Sequence, residues 1–371
     1  MQHELQVITA FGYAILISGF GYLFFTENGL DAGQWILQAS LIWEFVIWQI
    51  KPRLSLNRPN AEAPLYKTLG WGNRLTILRG LLIAMTGGFL LLPHGNDFND
   101  LLPALFYTLA ALLDRLDGYA ARKSKQVSIL GSELDITFDA LGLVIAPLLA
   151  ISLGRLHYSY LLLSVAYYIY CWGLKYRSQH ELALFTPPAN AVRRTLAGFQ
   201  MALLAVILWP VFQPSFTLII GITFMLPVLF GFIVDWCIVC GWLVPGFVIT
   251  IDRFSYDYFQ PCLRGLLMLL LILIPAELNL FSAIKQLSFL PVSFLPVLIV
   301  FLSLGVILFG YAGRIGALIL LLFAGEYFDH LPSPVLSTSL LFTLSWLLLL
   351  GTGRFSVWQG DDDWVKRYEG A

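Results

Sequence analysis

Apolar runs of membrane-spanning length follow one another along the whole chain. Twelve can be marked, at roughly 6–25, 34–50, 73–93, 101–121, 133–154, 157–175, 195–212, 216–240, 262–280, 291–309, 312–329 and 336–351. A helix needs about 20 such residues to cross the hydrocarbon core. Inside that core only a helix or a closed barrel can satisfy its own backbone. Composition agrees, since 58% of the 371 residues are hydrophobic and 12% are charged. That charged share is about half that of a soluble domain. A water-soluble enzyme is excluded, and so is a disordered chain, which would be polar and poor in aromatics. The net charge of −1 argues against nucleic acid as a partner. The expected fold is an all-α polytopic membrane protein of about 12 spans.

Charge placement orients these spans. Cytoplasmic loops carry the Lys and Arg of membrane proteins. With the N-terminus inside, 20 of the 22 basic residues fall on the inner side, and only Arg155 and Lys285 fall outside. A wrong span count would scramble this alternation. Few charges fix the count between 285 and 335. The start, Met1-Gln-His-Glu-Leu5, has no basic run before its apolar segment, so the first run is expected to be a retained span and not a cleaved leader. Cys237 and Cys240 form a C-x-x-C without two further ligands nearby, and small buried hydrophobes are the simpler reading. The expected setting is a multi-pass protein of the bacterial cytoplasmic membrane, in contact with membrane lipids. A homodimer is left open.

The chemistry-bearing stretch joins the fourth and fifth runs. It reads Asp114-Arg-Leu-Asp117-Gly118-Tyr-Ala-Ala121-Arg122, then eight residues, then Gly131-Ser-Glu-Leu-Asp135-Ile-Thr-Phe-Asp139. Asp114 and Asp117 share one helix face, and so do Asp135 and Asp139, by their spacing of three and four. A short basic turn joins the two helices, so four carboxylates aim at one point. Carboxylates that close repel and need compensation. Hard divalent cations supply it, and magnesium binds through a few carboxylates plus phosphate oxygens. A cluster sized for two ions suits in-line attack at phosphorus. Gly118 and Gly131 allow close backbone approach, and Arg122 stands where its fork can grip a phosphate. Isolated acids at a span end simply face water. Four acids with two glycines, an alanine and an arginine at set positions have a chance probability on the order of 10⁻¹⁰ per starting position.

This pattern, D-x2-D-G-x2-A-R-x8-G-x3-D-x3-D, resembles the signature of the CDP-alcohol phosphotransferase family at every fixed position. The resemblance implies a six-helix membrane core with the motif on its second and third helices. Two polar breaks, at 51–70 and 244–261, divide the chain into a two-span extension and linker (1–65), a six-span middle that would be the catalytic core (66–243) and a C-terminal extension of about four spans (244–371). The resemblance also implies that Asp114, Asp117 and Asp135 ligate two Mg2+ (or Mn2+) ions. Asp139 would be a further ligand and the general base for the acceptor hydroxyl. Gly118, Ala121, Arg122 and Gly131 would line the CDP pocket. The implied reaction moves a phosphatidyl group from CDP-diacylglycerol to an alcohol acceptor and releases CMP, in phospholipid biosynthesis.

Two flanking segments agree with it. Gly72-Asn73-Arg-Leu75-Thr76-Ile-Leu-Arg79 resembles the P-N-x-L-T-x-x-R that opens the core in many members, with Gly72 in place of the proline, and it adds Thr76 to the CDP-binding set. Arg193-Arg194-Thr195 and Gln200 resemble a basic stretch of phosphatidylglycerophosphate synthases that receives the acceptor's phosphate. Positive-inside bias alone would also put arginines there. The pair tilts the acceptor toward glycerol 3-phosphate, with inositol phosphate next. Transfer from a CDP-amino-alcohol to diacylglycerol uses the same motif. The competing class is a proton-coupled transporter, which the gathering of the acids at one point disfavours. An inactive scaffold is disfavoured by the presence of all four aspartates. Other polar groups read as ordinary: Glu44 in helix contact, Glu133 facing away, His180 and Glu181 solvated, and Asp361–Asp363 a solvated tail.

Overall fold

The computed structural model of the chain describes residues 1–26, 29–92, 101–188, 190–277, 294–326, 333–358 and 360. Among these, the structure is helical, with α1 (Gln2–Thr26), α2 (Gly29–Ile50), α3 (Gly70–Gly87), α4 (Leu101–Lys123), α5 (Ile129–Ser152), α6 (Leu161–Gln179), α7 (Ala191–Leu208), α8 (Pro214–Val239), α9 (Gly246–Phe254), α10 (Gln260–Glu277), α11 (Phe294–Phe309), α12 (Gly313–Glu326) and α13 (Pro334–Leu350). Each of the twelve apolar runs coincides with one of these helices. Parts of the runs at 73–93, 262–280, 291–309 and 312–329 lie outside the described residues, as do Lys285, Asp361–Asp363, Lys366 and Arg367.

By length and composition, four described segments suffice to cross a membrane: Gln2–Thr26, Ile129–Ser152, Pro214–Val239 and Gly246–Leu273. Large apolar side chains such as Phe11, Leu41, Leu112, Ile169 and Phe301 point outward from their helices and are exposed. Water would penalise such faces and lipid would not. This is an integral membrane protein.

The last of these segments departs from the sequence reading. Residues 244–261 look like a polar break, but they form α9 and a π-helical turn, Ser255–Phe259, that runs into α10. The reason is amphipathicity. Val248 is buried against Val234 and Ile238 of α8, with Leu243 and Ile251 beside it, while Arg253 is exposed.

Two compact units emerge, Met1–Leu161 with Met201–Val211, and Leu162–Gln200 with Phe212–Ala371. In the first, α1 packs on α2, and α3 packs on α2, α4 and α5. Indole rings fill the space above glycines: Trp35 lies against Gly19 and Gly88, and Trp43 lies against Gly12. Both indoles are almost fully buried. In the second unit, α13 packs on α8, α10 and α12, and α11 on α12. There the buried Arg314 of α12 donates to the carbonyls of Leu348, Leu349 and Leu350, groups that the end of α13 cannot satisfy itself.

Candidate active site

The turn between α4 and α5 decides the geometry. Helix α4 closes with Lys125 in the left-handed region (φ 54°), while Lys125 N–H donates to Arg122 O and Gln126 N–H to Ala121 O. This is a Schellman closure. Three residues later Ser128 caps α5, its Oγ accepting from Gly131 N–H at 3.0 Å. A connection this short forces the two helices to return side by side. Asp114 and Asp117 lie on the last turns of α4, and Asp135 and Asp139 on the first turns of α5. At 1.5 Å per residue the acids sit about 9–15 Å in from the helix ends.

Carboxylate oxygens of Asp114, Asp135 and Asp139 lie within 4.8 Å of one another. Asp117 stands beside them and is nearly buried. Thr76 Oγ1 of α3 donates to Asp117 Oδ2 at 2.9 Å. At the centre is the fully buried guanidinium of Arg79, also on α3. It pairs with Asp114, with Asp117 at 3.8 Å, with Asp135 at 2.9 Å and with Asp139 at 3.4 Å. Sequence reasoning had Arg79 among the basic residues of the inner face and as the last position of the segment resembling P-N-x-L-T-x-x-R, without assigning it to the site. Its position one turn after Thr76, inside an apolar helix, was the signal for it.

Helix α3 reaches this position through small residues. A Cβ on Gly72 would stand 2.7 Å from Ala121 Cβ and 3.1 Å from Asp117 O, closer than real contacts allow. Gly131 likewise accepts the amide of Asn73, since a Cβ there would be 2.7 Å from Asn73 Oδ1. Asn73 is buried and donates to Asn57 Oδ1, Leu69 O and Ser128 Oγ, which ties α3 to the cap of α5. Deeper, the buried Tyr107 ring packs at Gly142.

The other expected site residues fall as follows. Arg122 lies over Gly118, with its Nη1 3.2 Å from where a Cβ would be, and makes no ion pair among the described residues. Ala121 faces Gly72 at the α3–α4 contact. Glu133 turns from the cluster to pair with Arg53 at 3.1 Å. Glu44 accepts from Tyr13 at 2.7 Å, a helix contact. In the second unit Arg193 pairs with Asp235 at 2.5 Å and donates to Pro188 O at 3.0 Å. The side chain of Arg194 lies outside what the structure describes.

The cluster fits a divalent cation. One guanidinium faces four carboxylates, which leaves an excess of negative charge in a half-buried place. Asp139 Oδ1 is buried and accepts no hydrogen bond. The donors are all hard oxygens, the set that Mg2+ or Mn2+ takes and that zinc or copper does not favour.

Fold and site together define a helical membrane protein with a half-buried carboxylate centre on α4 and α5. Residues 71–254 match the family model described as CDP-alcohol phosphatidyltransferase. Residues 71–254 are thus a domain of the CDP-alcohol phosphatidyltransferase family, whose members transfer phosphate-containing groups in phospholipid biosynthesis. Neither a curated protein nor a solved structure matches the chain.

Proposed function

We propose that the chain transfers a phosphatidyl group from CDP-diacylglycerol to a phosphorylated alcohol and releases CMP. The observation that carries this reading is the convergence of four aspartates from α4 and α5 around one buried arginine from α3. Asp114, Asp117, Asp135 and Asp139 would hold two Mg2+ or Mn2+ ions. When bound, these would neutralise the diphosphate and stabilise the leaving CMP oxygen.

The chain's own residues do the rest. Asp139 is more accessible than Asp117 and would take the proton from the acceptor hydroxyl. Thr76 fixes Asp117 by a hydrogen bond. Arg122 would hold a phosphate of the donor by its fork. Gly118 and Gly131 would let the nucleotide approach the backbone, and Ala121 would keep that approach open beside Gly72. Arg193 and Arg194 would receive the acceptor's phosphate, which favours glycerol 3-phosphate and then inositol phosphate. The Arg193–Asp235 pair would have to exchange partners for that.

The domain scheme 1–65, 66–243 and 244–371, the twelve spans and the cytoplasmic orientation in a bacterial inner membrane complete the proposal. The 20-to-2 split of basic residues supports the last two. A transporter is disfavoured by the cluster itself, because its acids share one cation and do not line a path.

The test is a membrane assay with labelled CDP-diacylglycerol, magnesium and a panel of acceptors. A phosphorylated lipid product dependent on glycerol 3-phosphate supports the proposal. Donor hydrolysis without acceptor dependence refutes it. Labelled CDP-ethanolamine with diacylglycerol, run in parallel, detects the reverse use of the motif.

A further inference from the structure

The sequence presents residues 51–70 as a polar break, with Pro52, Pro59, Pro64 and several charges. Nearly all of it precedes residue 71, where the family match begins. In the structure the segment starts with a 3-10 turn, Lys51–Leu56, that packs on α5. It then brackets the turn between α4 and α5. Arg58 O accepts from Ile129 N–H at 2.9 Å, Tyr66 Oη donates to Val127 O at 3.2 Å, and Arg53 pairs with Glu133 at 3.1 Å. Ile129 opens α5, so Arg58 supplies an acceptor that the start of the helix cannot provide for itself.

Asn57 is the centre of this bracket. It is fully buried, although asparagine is mostly an exposed residue. A buried amide is costly unless it is hydrogen-bonded, and here both ends are used. Its Nδ2 donates to Thr68 O at 2.8 Å, and its Oδ1 accepts from Asn73 Nδ2 at 3.0 Å. Its backbone closes the segment on itself, because Asn57 O accepts from Tyr66 N–H at 2.9 Å.

Asn73 carries the constraint into the site. Of the partners of its Nδ2, Leu69 O stands at the start of α3 and moves with that helix. Asn57 and Ser128, the cap of α5, hold it from outside. Thr76 and Arg79 follow Asn73 at intervals of three along α3, and Asp135 and Asp139 follow Gly131 at intervals of four along α5. The close approach of Asn73 to Gly131 and the ion pairs of Arg79 with Asp135 and Asp139 therefore belong to one seam, about 9 Å apart along α3. A slide or rotation of α3 at the first contact would move the guanidinium around which the four carboxylates are arranged. The bond from Asn57 opposes that movement.

We infer that Asn57 is a positioning residue of the metal centre. It acts through Asn73 to hold α3 in register against α5, and so sets the spacing of the four aspartates for a divalent cation. The inference rests on the metal-holding role proposed for those aspartates. It makes the segment before the family domain a necessary part of the site.

The test is manganese binding by the full-length chain in detergent, read from the electron paramagnetic resonance signal of free Mn2+. Asn57→Ala should weaken binding about fivefold or more, through the loss of buried hydrogen bonds. In the membrane assay the magnesium concentration for half-maximal CMP release should rise by a similar factor, with turnover at saturating magnesium little changed. Trp43→Phe controls for a purely structural effect. It thins the packing of α2 on α1 at Gly12. It should lower Tm while leaving manganese affinity within about twofold. Asn57→Ser, whose hydroxyl ends one atom short of Asn73, takes the place of Asn57→Ala if that variant does not fold. Unchanged manganese affinity in the folded Asn57 variant overturns the inference and leaves the metal centre standing. An equal loss in Trp43→Phe also overturns it, since the effect would then be one of stability alone. A native chain that binds no manganese overturns the metal reading, and the inference with it.

Discussion

Thr76 and Asp117, 41 residues apart on α3 and α4, are joined by a hydrogen bond of 2.9 Å from the threonine hydroxyl to Asp117 Oδ2. Both are buried. The bond leaves one carboxylate oxygen oriented by the protein before any cation arrives. A hydrogen bond to a charged group contributes about 1.5–3 kcal/mol. Thr76→Val should therefore lower magnesium affinity by about tenfold or more with little change in volume, as read by the magnesium dependence of CMP release. Unchanged dependence would show that the bond does not position a ligand.

Asp117→Asn and Asp139→Asn should separate two roles. Asp139→Asn removes the proposed base, which is also a proposed ligand, and should cut turnover by about 10²–10⁴ even at saturating magnesium. Asp117→Asn should weaken magnesium binding as well as turnover. Both proteins should elute as the native chain does in detergent. Full activity in either would refute the assigned chemistry.

Arg79 holds together carboxylates that would otherwise repel. Removing one partner of a buried ion pair costs about 3–5 kcal/mol, because charge is left uncompensated. Arg79→Met should lower thermal stability in chelator, and magnesium should then raise its Tm by more than it raises that of the native chain. Equal magnesium effects in both proteins would mean that Arg79 is not the counter-ion of the metal-free cluster.

Arg193→Gln tests the acceptor proposal. It should raise KM for glycerol 3-phosphate by about tenfold or more, from loss of a charge-assisted contact, with kcat and the KM for donor little changed. The double variant Arg193→Gln/Asp235→Asn controls for the abandoned Asp235 carboxylate. An unchanged acceptor KM in both variants would assign the pair to structure alone.

The helices were legible in the sequence, because a span needs only an unbroken local run of apolar residues. The aspartate faces were legible too, because spacings of three and four place side chains on one side of any helix. Gly118 and Arg122, one turn apart, follow the same rule. What escaped was the amphipathic α9 and its π turn, which a scan for polar breaks passes over. Val248 finds its burial against Val234 and Ile238, and nothing within residues 244–261 declares that partner.

The sequence by itself determined that this chain lives in a membrane and which carboxylates point the same way. Only the tertiary structure decided that Arg79 stands among all four of them. It also paired Arg193 with Asp235 and brought Asn57 to Asn73. The physical reason is range. Helical periodicity is written in neighbouring residues, whereas the rotation and approach of one helix against another depend on contacts such as Gly72 with Ala121. Those contacts are made between residues far apart in the chain, and they exist only once the helices have packed.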